Sequence, residues 1–141
     1  MKYVLDSSVA VRWVLAEPHS DKAIRLRDDY RAGQHQLIAP DWFILEVMNV
    51  LGKAAARGAI RKAEAVRNYS LILRDAPVFH ASLPLSTHAF QLAIQHRRAV
   101  YDLLYLALAL QEKCELVTAD DSLVRQLQPA YGCLVALSSL P

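Results

Sequence analysis

The chain has 141 residues, 54% of them hydrophobic and 21% charged, with 16 basic and 14 acidic side chains and a formal net charge of +2. Those numbers fit one domain with a substantial core and exclude a disordered or low-complexity chain. No run of about 18 apolar residues occurs, so no membrane span is expected.

Residues 2–6, KYVLD, predict a short strand that ends on an acid. Asp6 and Arg12 interrupt the N-terminal apolar run, so no export segment is expected and the cytoplasm is the expected location. Ser7 or Ser8 is expected to cap a helix to about Ala16, stopped by Glu17-Pro18. A second helix is expected from Ser20, as its cap, to Ala32, ending at Gly33. LIAP, 37–40, predicts a buried strand. Asp41 is expected to cap a helix that runs to Gly58, and Arg61 to Asp75 gives another, broken by Ala76-Pro77. VFHASL, 78–83, alternates as an edge strand would, and Leu85 to Gln95 is helical.

A basic HRR, 96–98, leads into YDLLYLALAL, 101–110, an apolar helix opened by Asp102. ELVT, 115–118, predicts a buried strand, Asp120 or Asp121 caps a further helix, and CLVAL, 133–137, is the last strand. Strands alternating with helices predict an α/β fold of three layers, α/β/α, with a central, mainly parallel sheet flanked by helices. With four glycines and no glycine-rich loop after a strand, nucleotide binding of the Rossmann or P-loop kind is disfavoured. Cys114 and Cys133 lack metal-ligand spacing and read as small buried hydrophobes.

Four acids stand out against this frame. Asp6 and Asp120 fall at carboxyl ends of predicted strands, where open parallel sheets bind ligands. Asp102 sits at a helix N-terminus, which favours negative charge. Glu46 lies inside a helix, on a polar stripe with Trp42, Asn49 and Lys53, opposite Phe43, Val47, Val50 and Leu51. Each acid alone has an ordinary role as a cap, a turn residue or a solvated side chain. Gathered in one cleft they would repel, at about 4 kcal/mol for a pair about 4 Å apart at an effective dielectric of 20. A cation resolves that repulsion. With no His/Cys constellation, the fitting ion is hard, Mg²⁺ or Mn²⁺, which suits phosphodiester hydrolysis. Removing those four acids leaves 16 basic against 10 acidic side chains, a remainder of +6 that suits a polyanionic substrate.

The segments VLDSSV at 4–9, AEP at 16–18, EVMN at 46–49, YDLLYLALA at 101–109 and LVTADDSL at 116–123 span nearly the whole chain. In that order they resemble the PIN domain, and more closely the VapC-type ribonuclease toxins of toxin–antitoxin pairs. The resemblance implies a single PIN domain over residues 1–141. It implies a metal-dependent endoribonuclease whose Mg²⁺ or Mn²⁺ is held by Asp6, Glu46, Asp102 and Asp120. Ser7, Asn49 and Thr118 would orient water or carboxylates, with Asp121 the less certain neighbour of Asp120. It also implies an RNA substrate, a homodimer and a cognate VapB-type antitoxin, for which Trp13, Trp42 and Phe43 are candidate groove residues. Lys53, Arg97 and Arg98 are candidates to hold flanking phosphates. The alternative is a non-catalytic module of the same fold that binds RNA or the antitoxin. A haloacid-dehalogenase-like phosphatase is disfavoured because position 8 is Ser rather than a second Asp, and a receiver domain because no Lys follows position 113.

Overall fold

The computed structural model describes residues 1–141. Five strands form one sheet: β1 (Lys2–Leu5), β2 (Gln36–Pro40), β3 (Val78–His80), β4 (Glu115–Thr118) and β5 (Leu134–Ala136). Their spatial order is β3-β2-β1-β4-β5, and every pairing is parallel. Seven helices make the connections: α1 (Ser7–Ala10), α2 (Ser20–Arg31), α3 (Trp42–Ala56), α4 (Lys62–Arg74), α5 (Ser86–His96), α6 (Val100–Glu112) and α7 (Asp121–Leu127). This is the expected three-layer α/β arrangement. No helix is long and apolar enough to cross a membrane.

The central strands are buried on both faces, as parallel sheets require: Val4, Leu5, Leu37, Ala39, Leu116 and Val117 are fully enclosed. Helix α6 explains its own sequence. Leu103 through Ala109 are all buried, and the helix packs against β1, β2 and β4 as well as α5. A helix that is apolar on every side belongs in the core.

Some expected boundaries shift. Helix α1 ends at Ala10 and tightens into a 3₁₀ turn over Val11–Trp13 instead of reaching Ala16. Its cap is Asp6, whose carboxylate accepts the Ser8 N–H, rather than Ser7 or Ser8. His19, not Ser20, precedes α2. Asp41 precedes α3 but spends its carboxylate on the N–H and hydroxyl of Ser82. Ala99 caps α6, so Asp102 lies inside the first turn and not at the cap. Trp13 and Phe43, candidates for a partner's groove, are core residues, and the Trp13 indole N–H donates to the Ala23 carbonyl at 3.0 Å.

Two glycines make a matched test of backbone freedom. Gly58, after α3, has φ +77°, whereas Gly52 lies within α3, and a Cβ at either would meet open space. Gly58→Ala is expected to destabilise the fold by about 1 kcal/mol through left-handed strain, and Gly52→Ala to stabilise it by about 0.5–1 kcal/mol. Urea denaturation of both variants measures the opposite signs.

Candidate active site

The direction of strand addition reverses between β1 and β4, and ligands bind at such switch points beyond the carboxyl ends of strands. Asp6 follows β1 there, and Asp120 follows β4. The two strand ends are stitched together by hydroxyls. The fully buried Thr118 donates its Oγ1–H to Asp6 Oδ2 at 2.5 Å and accepts the Asp120 N–H at 3.1 Å. Ser8 Oγ donates to Asp6 Oδ2 at 3.0 Å and accepts the Ala119 N–H at 3.0 Å. Two of these bonds, Thr118 to Asp6 and Ala119 to Ser8, cross 112 and 111 residues of chain and fix Asp6 within a buried site.

Helices α3 and α6 supply the other two acids. Tyr105, one turn along α6 from Tyr101, donates its phenol to Glu46 Oε1 at 2.6 Å. One turn back, Tyr101 stacks on Trp42 with centroids 4.6 Å apart and planes within 6°. Two rungs thus tie α3 to α6, one aromatic and one hydrogen-bonded. Ser7 Oγ lies 3.4 Å from Asp6 Oδ1 and also assists Glu46.

The charges sense one another. Burial pushes the Asp6 carboxyl above its ordinary range; its hydroxyl donors oppose that rise and the Asp102 charge adds to it. Glu46 is pushed up to about 7, first by burial and then by the charges of Asp6 and Asp102, against the pull of the Tyr105 hydrogen bond. Asp120 goes the other way. Its partial burial is outweighed by the Ser122 hydroxyl, the Leu123 and Ser122 N–H groups and the Arg98 charge, so its pKa is lowered. Asp120 caps α7, accepting the Ser122 and Leu123 N–H groups at 3.0 and 3.1 Å.

Of the expected residues, Asp6, Glu46 and Asp102 form one electrostatically coupled group, with Ser7 and Thr118 against it. Asp120 is linked to Asp102 through a cation: the Arg98 guanidinium donates to Asp102 Oδ2 and to Asp120 Oδ2, each at 2.8 Å. Arg98 is therefore turned onto the carboxylates rather than toward open solvent. Asp121 heads α7 and is exposed. Asn49 is exposed beside the site, in a depression it shares with Trp42, Leu45, Glu46 and Met48. Lys53 and Arg97 are exposed and make no ion pair. As the side chains stand, no three acids close on a single point as a finished metal cage. The donor set is nevertheless all oxygen and crowded with negative charge, which fits a hard divalent cation.

Two participants escaped the sequence reading. Ser8 reads as a helix cap, and Tyr105 as another core residue of an apolar helix. Tyr105 stands three residues after Asp102, on adjoining faces of α6, and that spacing was the available signal.

Residues 3–126 match the model of the PIN domain family. A curated relative, Ribonuclease VapC3 of Pyrobaculum aerophilum, is 33% identical over 96% of this chain and 98% of its own length. A crystal structure of a protein from the same organism superposes with a TM-score of 0.68 at 23% identity, covering 99% of this chain and 94% of that one. VapBC2 of Rickettsia felis, solved bound to a DNA fragment of its promoter, superposes with a TM-score of 0.65 at 16% identity, covering 96% and 97%. VapC20 of Mycobacterium tuberculosis, a sarcin–ricin-loop-cleaving toxin, does so with a TM-score of 0.62 at 14% identity, covering 89% and 97%.

Proposed function

The chain belongs to the PIN domain family and is a relative of its VapC ribonucleases, and on that premise we propose that it cleaves RNA with a divalent cation, Mg²⁺ or Mn²⁺, as the toxin of a toxin–antitoxin pair. The observation that carries this reading is the convergence of Asp6, Glu46 and Asp102 at the sheet's switch point, where burial raises Asp6 and Glu46 and the neighbouring carboxylate charges add to that rise. A hard cation would be held by Asp6, Glu46 and Asp102, with Asp120 completing the acidic rim. Bound there, it would supply activation of the attacking water and neutralise charge on the scissile phosphate.

The chain's own residues do the rest. Thr118 and Ser8 keep the Asp6 carboxylate fixed by donating to Oδ2. Tyr105 holds Glu46 toward the group by its phenol. The half-exposed Trp42–Tyr101 stack stands on the rim of the same depression as Glu46 and offers a ring face to an unpaired base. Lys53 and Arg97, exposed and unpaired, remain available for flanking phosphates.

We further infer a protein partner of the VapB kind and a homodimer. Supporting the partner is an apolar cleft between α3 and α4, lined by Met48, Leu51, Gly52, Ala65, Val66 and Tyr69. Val66 and Met48 are well exposed there, as a groove for an apolar segment requires. A second exposed apolar set, Phe79, Phe90 and Ile94, lies on β3 and α5 and supports contact with a second copy.

The test is incubation of purified protein, free of its partner, with total cellular RNA in Mn²⁺ and in EDTA. Defined fragments that appear only with the metal are expected. Cleavage that survives EDTA contradicts the metal assignment, and no cleavage by folded protein favours the binding module.

A further inference from the structure

Arg98 is held more firmly than a surface arginine needs to be. Its backbone N–H closes the C-terminal turn of α5 on the Ala93 carbonyl at 3.1 Å, a turn made possible by the left-handed Arg97 (φ +53°). Its guanidinium is a three-sided fork. Nε donates to Asp102 Oδ2 at 2.8 Å, and one terminal nitrogen donates to Asp120 Oδ2 at 2.8 Å and to Ser122 Oγ at 3.1 Å. The other donates to Gln126 Oε1 at 2.9 Å. Gln126 is fixed in turn, since its amide donates to the His96 carbonyl at 2.7 Å. The Arg98 side chain is only 17% exposed. Four partners from α6 and α7 hold one positive charge between two carboxylates.

The four-acid set thus contains its own cation, covalently attached. A divalent ion that draws on the same Asp102 and Asp120 oxygens meets both the fixed charge and the engaged lone pairs.

We propose that Arg98 is an intramolecular competitor for the metal site: it closes the Asp102–Asp120 side in the metal-free protein and must swing away when a divalent cation binds. This rests on the reading of the carboxylates as a cation site. It makes Arg98 a positioning residue that lowers metal affinity while stabilising the metal-free protein. The lone guanidinium is shared by two partly exposed carboxylates and lowers their combined charge from −2 to −1.

Isothermal titration with Mn²⁺ tests it on wild type, Arg98→Gln, Arg98→Lys and Arg125→Gln. Arg125 is an exposed arginine of α7 that makes no ion pair, so it controls for the loss of a nearby charge. Arg98→Gln is expected to bind Mn²⁺ about tenfold or more tightly than wild type, and Arg125→Gln within about twofold of it. Arg98→Lys should fall between, because an ammonium cannot bridge both carboxylates as the planar fork does. Melting curves in EDTA should show Arg98→Gln less stable than wild type, with a larger rise on adding Mn²⁺. Wild-type binding with Arg98→Gln equal or weaker overturns the competitor role alone, and would make Arg98 a scaffold for the metal ligands. Absence of Mn²⁺ binding by every folded variant overturns the cation site itself, and this inference with it.

Discussion

Asp6→Asn is expected to lower metal-dependent RNA cleavage by about 10³-fold or more while the protein stays folded. The substitution is close to isosteric. It keeps an oxygen to accept the Ser8 N–H that caps α1, and it removes the single charge that the buried end of β1 contributes to the site. Because that charge is disfavoured by burial, its loss relieves the metal-free fold of a repulsive group. The amide must still find a place beside Thr118 and Ser8, both of which donate to Oδ2 in the parent. The two effects offset, so a change in stability of no more than about 1 kcal/mol is expected. Single-turnover cleavage in Mn²⁺, alongside a melting curve, separates the two readouts. A variant that cleaves within tenfold of wild type removes Asp6 from the site.

The second large effect is a pH dependence centred on Glu46. Its carboxyl rises from an ordinary value of 4.5 to about 7 in the folded protein. Between those values the folded state holds a proton that the unfolded state has released. Stability of the metal-free protein therefore falls as pH rises through that window, and is recovered on acidification. The buried, raised Asp6 adds to the same slope. Cation binding has the opposite preference, because ligation needs the carboxylate, so Mn²⁺ affinity should climb as pH passes about 7. Glu46→Gln keeps an acceptor for the Tyr105 phenol and removes the charge. At pH 8 and in EDTA it should be more stable than wild type by about 1–2 kcal/mol, a figure reduced for partial exposure. Melts at pH 5, 6, 7 and 8 measure both curves. If the two proteins run parallel throughout, Glu46 does not carry the raised pKa.

Much of this site is written locally. Asp6 and Asp120 are visible as acids that end short apolar strands, and Glu46 as a carboxylate on the polar stripe of a helix whose Phe43, Val47 and Leu51 are buried. The parallel sheet follows from the alternation of strands with helices, and the burial of α6 from its nearly unbroken apolar run; the strand order does not. What local pattern could not show is pairing across distance. Thr118 bonding to Asp6, Tyr105 to Glu46, and Arg98 to both Asp102 and Asp120 depend on where elements meet, and each donor has a plausible local role of its own. Asp102 reads as the opening of a helix because helix N-termini favour negative charge; Ala99 precedes the helix, and Asp102, within its first turn, faces Arg98 at the i,i−4 spacing. Trp13 and Phe43 are aromatic candidates for a partner's groove, but the core encloses them, and exposed apolar residues lie on α3, α4, β3, α5 and α6.

The first strand of the chain is also the middle strand of the sheet, and its partner on one side is β4, more than a hundred residues later. During synthesis from the N-terminus, Asp6 emerges early but has nothing to close against until Thr118 and Asp120 follow. Pairings of such long sequence separation form late and make folding slow. A growing chain on the ribosome therefore carries Asp6 and Glu46 well before the site they belong to exists. Under the proposed function, that late closure keeps the emerging chain from cutting the RNA around it until translation is nearly over.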